Sequence, residues 1–252
     1  MKKLACDGAI INEVNEGFRR GMKPHIEKAK EVIECLEQIH SHYDSKLDVL
    51  NEKSTLTAAY IITAKVISIL YSSLNMIEKG ELIGAAALFR TIYEGVDLAL
   101  YFTLSENTEK GKKDVSKWFN GKGIKNDTCR SFIAKFYQEY GFDKDGKMKR
   151  LKSTLYDGYC KLVHLNYHVI KESYNTMALS GSGPKKVYRM GFDYKNTKLM
   201  RKSVSFLSAF EGLLNSVLAM FLLCFQAKMP LEEAHILQLK KYHAYYLKTI
   251  QG

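Results

Sequence analysis

Four polar side chains interrupt an otherwise apolar stretch, AAALFRTIYEGVDLALYF at residues 85–102. Arg90, Glu94, Asp97 and Tyr101 are spaced to share one face of a helix, because successive helical residues turn by about 100°. Arg90 and Glu94 stand four residues apart and can form an ion pair along the helix. An unpaired buried ion costs several kcal/mol. The stripe is therefore either a structural ion pair at a helix contact, or partly solvated, or the floor of a cleft where Arg90 binds a phosphate.

A further partner for this stripe is expected, since two carboxylates beside one arginine leave an excess of negative charge. The segment TLYDGYCKLVHLNYHVIKES, residues 154–173, places Cys160, His164 and His168 at successive four-residue intervals on one helix face. His164 is the candidate general acid or base, because an imidazole titrates near neutral pH. The candidate catalytic residues are then Arg90, Glu94 and His164. The alternative for His164 is a histidine that is hydrogen-bonded in the core.

Neither a metal nor a cofactor is expected from the motifs. The H-E-x-x-H pattern of zinc proteases is absent around His164 and His168. The five cysteines are odd in number and form no C-x-x-C pair, so reduced thiols are expected.

The charge distribution favours a polyanionic partner. The chain carries a formal charge of +11, yet residues 110–202 hold 22 Lys and Arg against 8 Asp and Glu. A one-sided basic field suits RNA, DNA or a nucleotide. The alternative is an ordinary solubilising surface, because most of these basic residues are lysines rather than arginines.

The segment KWFNGKGIKNDTCR, residues 117–130, combines aromatic and basic side chains. Trp118 could stack on a base while neighbouring cations contact phosphates. It could equally anchor its loop on the core. The candidate nucleic-acid-binding residues are Lys117, Trp118, Lys122, Lys125 and Arg130.

Helical periodicity runs through almost the whole sequence, and proline occurs at only three positions. The sequence predicts an all-α fold: a single helical bundle of about eight helices with two long basic loop insertions, at 106–126 and 173–197. One domain is expected over 1–252. Its core bundle spans about 55–227, with N-terminal helices in 1–50 and a C-terminal helix in 230–252.

Local signals set the predicted helix boundaries. Pro24 separates a first helix from a second that continues to about Leu50. Ser54 or Thr55 caps the third helix, and Asn126 or Asp127 caps the fifth. A short helical turn near 115–119 and a small hairpin within the second insertion are also expected, with KVYRMGFDY as its strand-like part.

A cytoplasmic protein without membrane contact is the expectation. The longest apolar run without a charge, Gly212–Ala227, is shorter than the roughly twenty residues of a membrane span. It is interpreted as a buried core helix. The N-terminus begins like a signal peptide, but Asp7 and Glu13 interrupt its apolar part.

Three segments in order, LFRTIYEGVDLALYF, KWFNGKGI and LYDGYCKLVH, resemble a group of prokaryotic helical proteins similar to the HEPN superfamily (higher-eukaryote and prokaryote nucleotide-binding domains), with kin among abortive-infection proteins. The resemblance covers roughly 55–225 and rests on Arg90, Glu94, Trp118 and His164. It implies a helical bundle, a homodimer and a role in phage defence or a toxin-like system. Catalytic HEPN ribonucleases carry an arginine four to six residues before a histidine, and this chain lacks that spacing, so Arg90 would have to act from another helix.

Two functions of different class follow from these features. The first is binding of RNA or a nucleotide, extending to metal-independent RNA cleavage by His164 and Arg90. The second is a non-catalytic interaction or oligomerisation protein, for which the apolar 203–227 helix and the tyrosine-rich C-terminus supply an interface. A metal-dependent helical-bundle enzyme is the third alternative.

Overall fold

The structure is a computed structural model of the full chain. It describes residues 8–44, 47, 51–78, 82–143, 145–163, 174–178, 184–188, 197–226 and 232–251. Statements below refer to these residues.

The described chain forms eight helices and one two-stranded hairpin, so the predicted all-α fold class is confirmed. The helices are α1 (Gly8–His42), α2 (Thr55–Glu78), α3 (Leu82–Ser105), α4 (Glu109–Phe119), α5 (Asn126–Glu139), α6 (Lys147–Val163), α7 (Thr197–Gln226) and α8 (Glu233–Gln251). The strands β1 (Tyr174–Ala178) and β2 (Pro184–Tyr188) pair antiparallel, with Tyr174 opposite Tyr188.

Helix α3 lies at the centre of the bundle and contacts α2, α4, α5, α6 and α7. Its apolar side chains, including Phe89, Ile92 and Phe102, are fully buried in the core. A helix that is apolar on most of its circumference is expected to be surrounded in this way. Consequently the polar stripe of α3 must face its neighbours, and those neighbours decide what the stripe can do.

Pro24 does not separate two helices, contrary to the sequence prediction, but lies inside α1. An interior proline removes one backbone hydrogen bond and crowds the preceding turn, at a cost of about 3 kcal/mol. Met22, Ile26 and Ala29 are buried on either side of it. Burial of each large apolar side chain contributes roughly 1.5–3 kcal/mol, so the continuous apolar stripe offsets the cost.

The first predicted loop insertion holds a helix of 11 residues, α4, where only a short turn was expected. Thr108 caps it, since its Oγ1 accepts a hydrogen bond from the N–H of Gly111 at 3.0 Å. Gly111, which the sequence prediction placed in a loop, lies in α4. A Cβ at this position would lie 2.1 Å from the carbonyl oxygen of Ser105. The glycine is therefore required by close packing of the α3–α4 junction.

The cap of α2 was predicted correctly and the cap of α5 was not. The Ser54 hydroxyl accepts from the N–H of Thr57 at 3.1 Å. In α5 the N-cap residue is Lys125, and Asn126 is the first helical residue with no capping role. The hairpin confirms β structure in the second insertion, although its first strand, YNTMA, was not predicted.

Two helices are long and apolar enough to cross a membrane, namely α2 and the Phe206–Phe225 part of α7. About half of each apolar window is buried inside the fold, at 56% and 50%. A core helix meets the same criteria of length and composition, so this is weak evidence for a membrane. Phe210, Leu214 and Phe221 of α7 are fully buried in the core.

Candidate anion-binding cleft

An open cleft of about 630 Å³ lies where α2, α3, α5, α6 and the end of α4 meet. Its wall is largely aliphatic and is formed by Ile61, Ile62, Val66, Ile69, Leu98 and Ile124. Polar groups enter from separate elements: Lys65 from α2, Arg90 and Glu94 from α3, Asn126 from α5 and Tyr156 from α6. A mostly apolar cleft with a few convergent polar groups is the usual form of a small-molecule site.

Arg90, Glu94 and Tyr156 form a closed hydrogen-bonded triangle at the mouth of the cleft. Arg90 Nε donates to Glu94 Oε1 at 2.9 Å, and Arg90 Nη2 donates to the Tyr156 hydroxyl at 3.1 Å. That hydroxyl donates to Glu94 Oε1 at 3.0 Å. The predicted pairing of Arg90 with Glu94 is thus present, and a tyrosine from α6 fixes its geometry.

The triangle remains open to a ligand. Arg90 keeps 30% of its side chain exposed and Glu94 keeps 33%. Burial and the neighbouring Glu94 raise the pKa of Tyr156, so the phenol stays protonated and donates. The hydrogen bond with Glu94 likewise raises the pKa of Arg90, which stays charged. Hydrogen bonds therefore hold one edge of the Arg90 guanidinium, and its exposed part is a cation that an anion can approach.

Asp97, although on the predicted stripe, does not join the cleft. Its carboxylate is completely buried, and Oδ1 accepts from Lys152 Nζ of α6. Burial raises the pKa of Asp97, while Lys152 and then Arg130 oppose that rise. This half of the stripe is a structural ion pair, which was the alternative stated for the whole stripe.

Tyr101 also points away from the cleft and contacts α4. Its hydroxyl, buried, donates to Asp114 Oδ2 at 2.8 Å, and Lys117 Nζ donates to Asp114 Oδ1 at 2.9 Å. Hydrogen bonds from Lys117 and Tyr101 hold the pKa of Asp114 below its usual value despite burial. Lys117 is thus engaged with α4 rather than with the cleft.

Trp118 has the anchoring role, which is one of the two roles that the sequence left open, and its position leaves base stacking as a prediction. Its ring packs edge-on against Phe102 with centroids 5.8 Å apart, so it anchors the end of α4 on the core. It also lines the cleft. A flat apolar surface in a cleft that holds Arg90 can stack on a planar ligand.

The remaining predicted basic residues separate into two groups. Lys122 and Lys125 are exposed and do not line the cleft. Arg130 is 12% exposed, and its guanidinium lies over the Tyr156 ring, 3.9 Å from the ring centre. Only Arg130 of these three therefore belongs to the surroundings of the cleft.

Sequence reasoning missed Lys65, Asn126 and Tyr156. Lys65 interrupts the apolar run AAYIITAKVISIL, which was an available signal that went unused. Tyr156 stands four residues before Cys160, on the face that had been assigned to Cys160 and the two histidines. Asn126 was assigned to a cap because local sequence offers no sign of a tertiary role.

His164 and His168 lie outside the described residues, so the predicted catalytic set is placed only for Arg90 and Glu94. Cys160 of α6 is a free thiol of intermediate exposure beside Tyr156. Within the described ranges, no group of three or more His, Cys, Asp or Glu side chains could hold a metal ion.

Gly95 allows α2 and α3 to approach closely beside Glu94. A Cβ at this position would lie 2.5 Å from Val66 Cγ2, and the short branched valine cannot swing aside. Gly95→Ala is therefore expected to lower the free energy of unfolding by about 1–3 kcal/mol in urea denaturation. Gly84→Ala on the same helix is the control, because its Cβ would meet only the flexible Met76 Sδ at 3.2 Å. Equal effects of the two substitutions would contradict the close-approach explanation.

The fold and the cleft together define an all-helical bundle with a cation-bearing, largely apolar cleft. Comparison of the chain with protein-family models, with curated proteins and with solved structures finds no match. The chemistry of the cleft therefore has to follow from its own residues.

Proposed function

We propose that this is a HEPN-like helical protein that binds a nucleotide, free or as a unit of RNA, in the cleft. The observation that carries the proposal is that side chains from three different helices converge on one cleft. Arg90 and Glu94 from α3, Trp118 from α4 and Lys65 from α2 line one open space although they are distant in sequence. Two of these four, Arg90 and Trp118, were selected from the sequence for phosphate or base contact, and Glu94 was selected as a candidate catalytic residue.

The parts of a nucleotide match the parts of the cleft. Trp118 and the aliphatic wall offer a surface for a base, and Arg90 and Lys65 offer positive charge for a phosphate. Among the residues that line the cleft these two cations face one carboxylate, Glu94, which leaves a net positive site. A volume of about 630 Å³ suits one small organic ligand.

The basic central segment supports the same class of ligand. Residues 110–202 include Trp118, Asn126 and Tyr156, which line the cleft, and carry 22 Lys and Arg against 8 Asp and Glu. Such a field raises the local concentration of a polyanion and speeds its encounter with the site. A cytoplasmic location and a role in a defence or toxin-like system are parts of this proposal.

Trp118 is the single tryptophan, so its fluorescence reports on the cleft directly. Titration with mononucleotides or short RNA is expected to give a saturable change in emission whose affinity weakens as salt is raised. Trp118→Phe is the control, since it removes the signal while calorimetry still detects the ligand. Emission and calorimetry that do not respond to any nucleotide or RNA would contradict the proposal.

A catalytic extension of the proposal is metal-independent cleavage of RNA, in which the ribose 2′-oxygen bonds to phosphorus and the 5′-oxygen leaves. Arg90 would stabilise the negative charge on the oxygens of the pentavalent phosphate, and His164 would act as the base or the acid. Cleavage of RNA in EDTA by the wild type, lost in His164→Ala, is the expected result. Equal cleavage by both proteins, or none by either, would discard the catalytic extension and leave binding untouched.

A homodimer or a non-catalytic interaction role is the second candidate. Leu237 of α8 is 70% exposed and Phe142, after α5, is 73% exposed, and large exposed apolar side chains favour contact with another chain. The apolar face of α7, which the sequence offered for this purpose, is mostly buried in the fold instead. A monomer at all concentrations in light scattering would count against this candidate.

A further inference from the structure

Two polar side chains on α5, beside the cleft, have buried atoms that make no hydrogen bond within the described part of the chain. Asn126 lines the cleft, and both its Nδ2 and its Oδ1 are buried with no hydrogen bond to any described residue. Arg130 follows one turn later, with Nε and Nη1 also buried and without a hydrogen-bond partner in the described chain. Residues four apart on a helix share a face, so these donors are neighbours.

The position of Arg130 is fixed although its hydrogen bonds are not made. The central carbon of the guanidinium lies over the Tyr156 ring, 3.9 Å from the ring centre, which is a cation–π contact. Its Nη2 is 3.6 Å from Asp127 Oδ1, which is too far for a hydrogen bond, and Asp127 is 81% exposed. The charge of Arg130 opposes the rise in the pKa of the buried Asp97, but the hydrogen bond to that carboxylate comes from Lys152.

Buried donors without acceptors are costly, and a guanidinium costs more than a neutral amide. The acceptors that such groups need come from a bound ligand or from water. The start of α5 adds a partial positive charge at the same place, since its cap residue Lys125 contributes no side-chain hydrogen bond. The three donors in this set, Asn126 Nδ2 and Arg130 Nε and Nη1, are matched by a compact anion with several acceptor oxygens. The fourth atom, Asn126 Oδ1, is an acceptor that a hydroxyl of the ligand or a protonated phosphate oxygen can satisfy.

We propose that Asn126 and Arg130 form a subsite for the terminal phosphate of a nucleotide, a proposal that rests on nucleotide binding in the cleft. Burial selects a terminal group, because an internal phosphodiester needs exposed space on both sides for the continuing chain. The base then lies toward Trp118, and Arg90, whose Nη2 donates to the Tyr156 hydroxyl, supplies a second cation beside the phosphate. The ligand is a free mononucleotide or the phosphorylated end of an RNA.

The experiment compares nucleosides with their 5′- and 3′-monophosphates on the full chain, by Trp118 fluorescence and calorimetry. Wild-type protein is expected to bind one monophosphate series roughly tenfold or more tighter than the nucleosides. Arg130→Gln and Asn126→Ala are expected to remove most of that preference. Lys135→Gln is the matched control, since Lys135 lies on the same helix with 74% of its side chain exposed. Short RNAs with a phosphate or a hydroxyl at the end distinguish an RNA terminus from a free nucleotide.

Several results would overturn the subsite. If the wild-type protein binds nucleosides and monophosphates equally well, the phosphate subsite is wrong, and the cleft remains a nucleotide site. A protein that binds no nucleotide in any form removes both proposals. If Arg130→Gln lowers the free energy of unfolding and keeps the phosphate preference, Arg130 only stabilises the buried charge of Asp97. The proposed subsite is then wrong.

Discussion

Replacing Lys152 by methionine is expected to lower the free energy of unfolding by about 3–5 kcal/mol at neutral pH. Lys152 is 13% exposed and Asp97 is fully buried, so the pair lies inside the bundle. Loss of the lysine leaves a buried carboxylate whose Oδ2 already has no hydrogen-bond partner among the described residues. The penalty is the cost of an uncompensated charge, which is larger than the benefit of the original pair.

The loss of stability in Lys152→Met is expected to grow as pH rises. Burial raises the pKa of Asp97 above its unfolded value, so stability falls as pH rises from about 4 through the folded pKa. Lys152 restrains this rise in pKa, and its removal extends the fall in stability to higher pH. The destabilisation by Lys152→Met should therefore be smaller near pH 4.5 than near pH 7.5, as read from urea unfolding followed by circular dichroism.

Two further variants make this prediction decisive. Asp97→Asn combined with Lys152→Met removes both charges and should recover most of the stability, since the remaining groups are neutral. Lys149→Met removes an exposed lysine from the same helix and should change stability by less than about 0.5 kcal/mol. A loss in Lys152→Met no larger than in Lys149→Met would show that the pair is not buried as described.

The sequence could locate the chemistry of α3 because that information is local. The stripe follows from helical spacing alone, and the Arg90–Glu94 pair found at 2.9 Å is the i, i+4 pair that the spacing predicts. What spacing cannot tell is which part of the stripe each neighbouring helix covers. Helix α6 contacts the Arg90–Glu94 part of the stripe through Tyr156 and the Asp97 part through Lys152. Only the part beside Tyr156 lines an open cleft.

Local rules failed where packing between distant segments competes with them. Asn126 has the right residue type for a cap, yet its side chain faces a cleft built by α2 and α3. Gly111 has the right type for a loop, yet it lies in α4, and it is glycine because Ser105 leaves no room for a Cβ. Pro24 has the right type for a helix start, yet burial on both sides carries α1 through it. In each case the outcome depends on tertiary packing, which the neighbouring residues in the sequence do not reveal.

Replacing Arg90 by methionine should weaken binding of the preferred mononucleotide on the order of 100-fold, while Glu94→Gln should strengthen it. Methionine keeps the aliphatic bulk but loses the guanidinium, and hydrogen bonds to a charged group contribute about 1.5–3 kcal/mol. Glutamine keeps an oxygen that can accept from Arg90 and Tyr156, as Glu94 Oε1 does now. It removes the negative charge that opposes a phosphate, which should tighten binding roughly two- to fivefold.

The opposite signs separate a ligand site from a structural ion pair. If Arg90 and Glu94 served only to join α3 to Tyr156, both variants would lower stability and neither would change affinity. Arg150→Met removes an exposed arginine from α6 and controls for the loss of one positive charge from the protein. Calorimetric titration of the four proteins at fixed salt measures all of these effects, because screening alters the charge contribution. Tighter binding by Glu94→Gln with weaker binding by Arg90→Met requires an anion held at Arg90, whereas weaker binding by both would mean that the intact pair, rather than its positive charge, shapes the cleft.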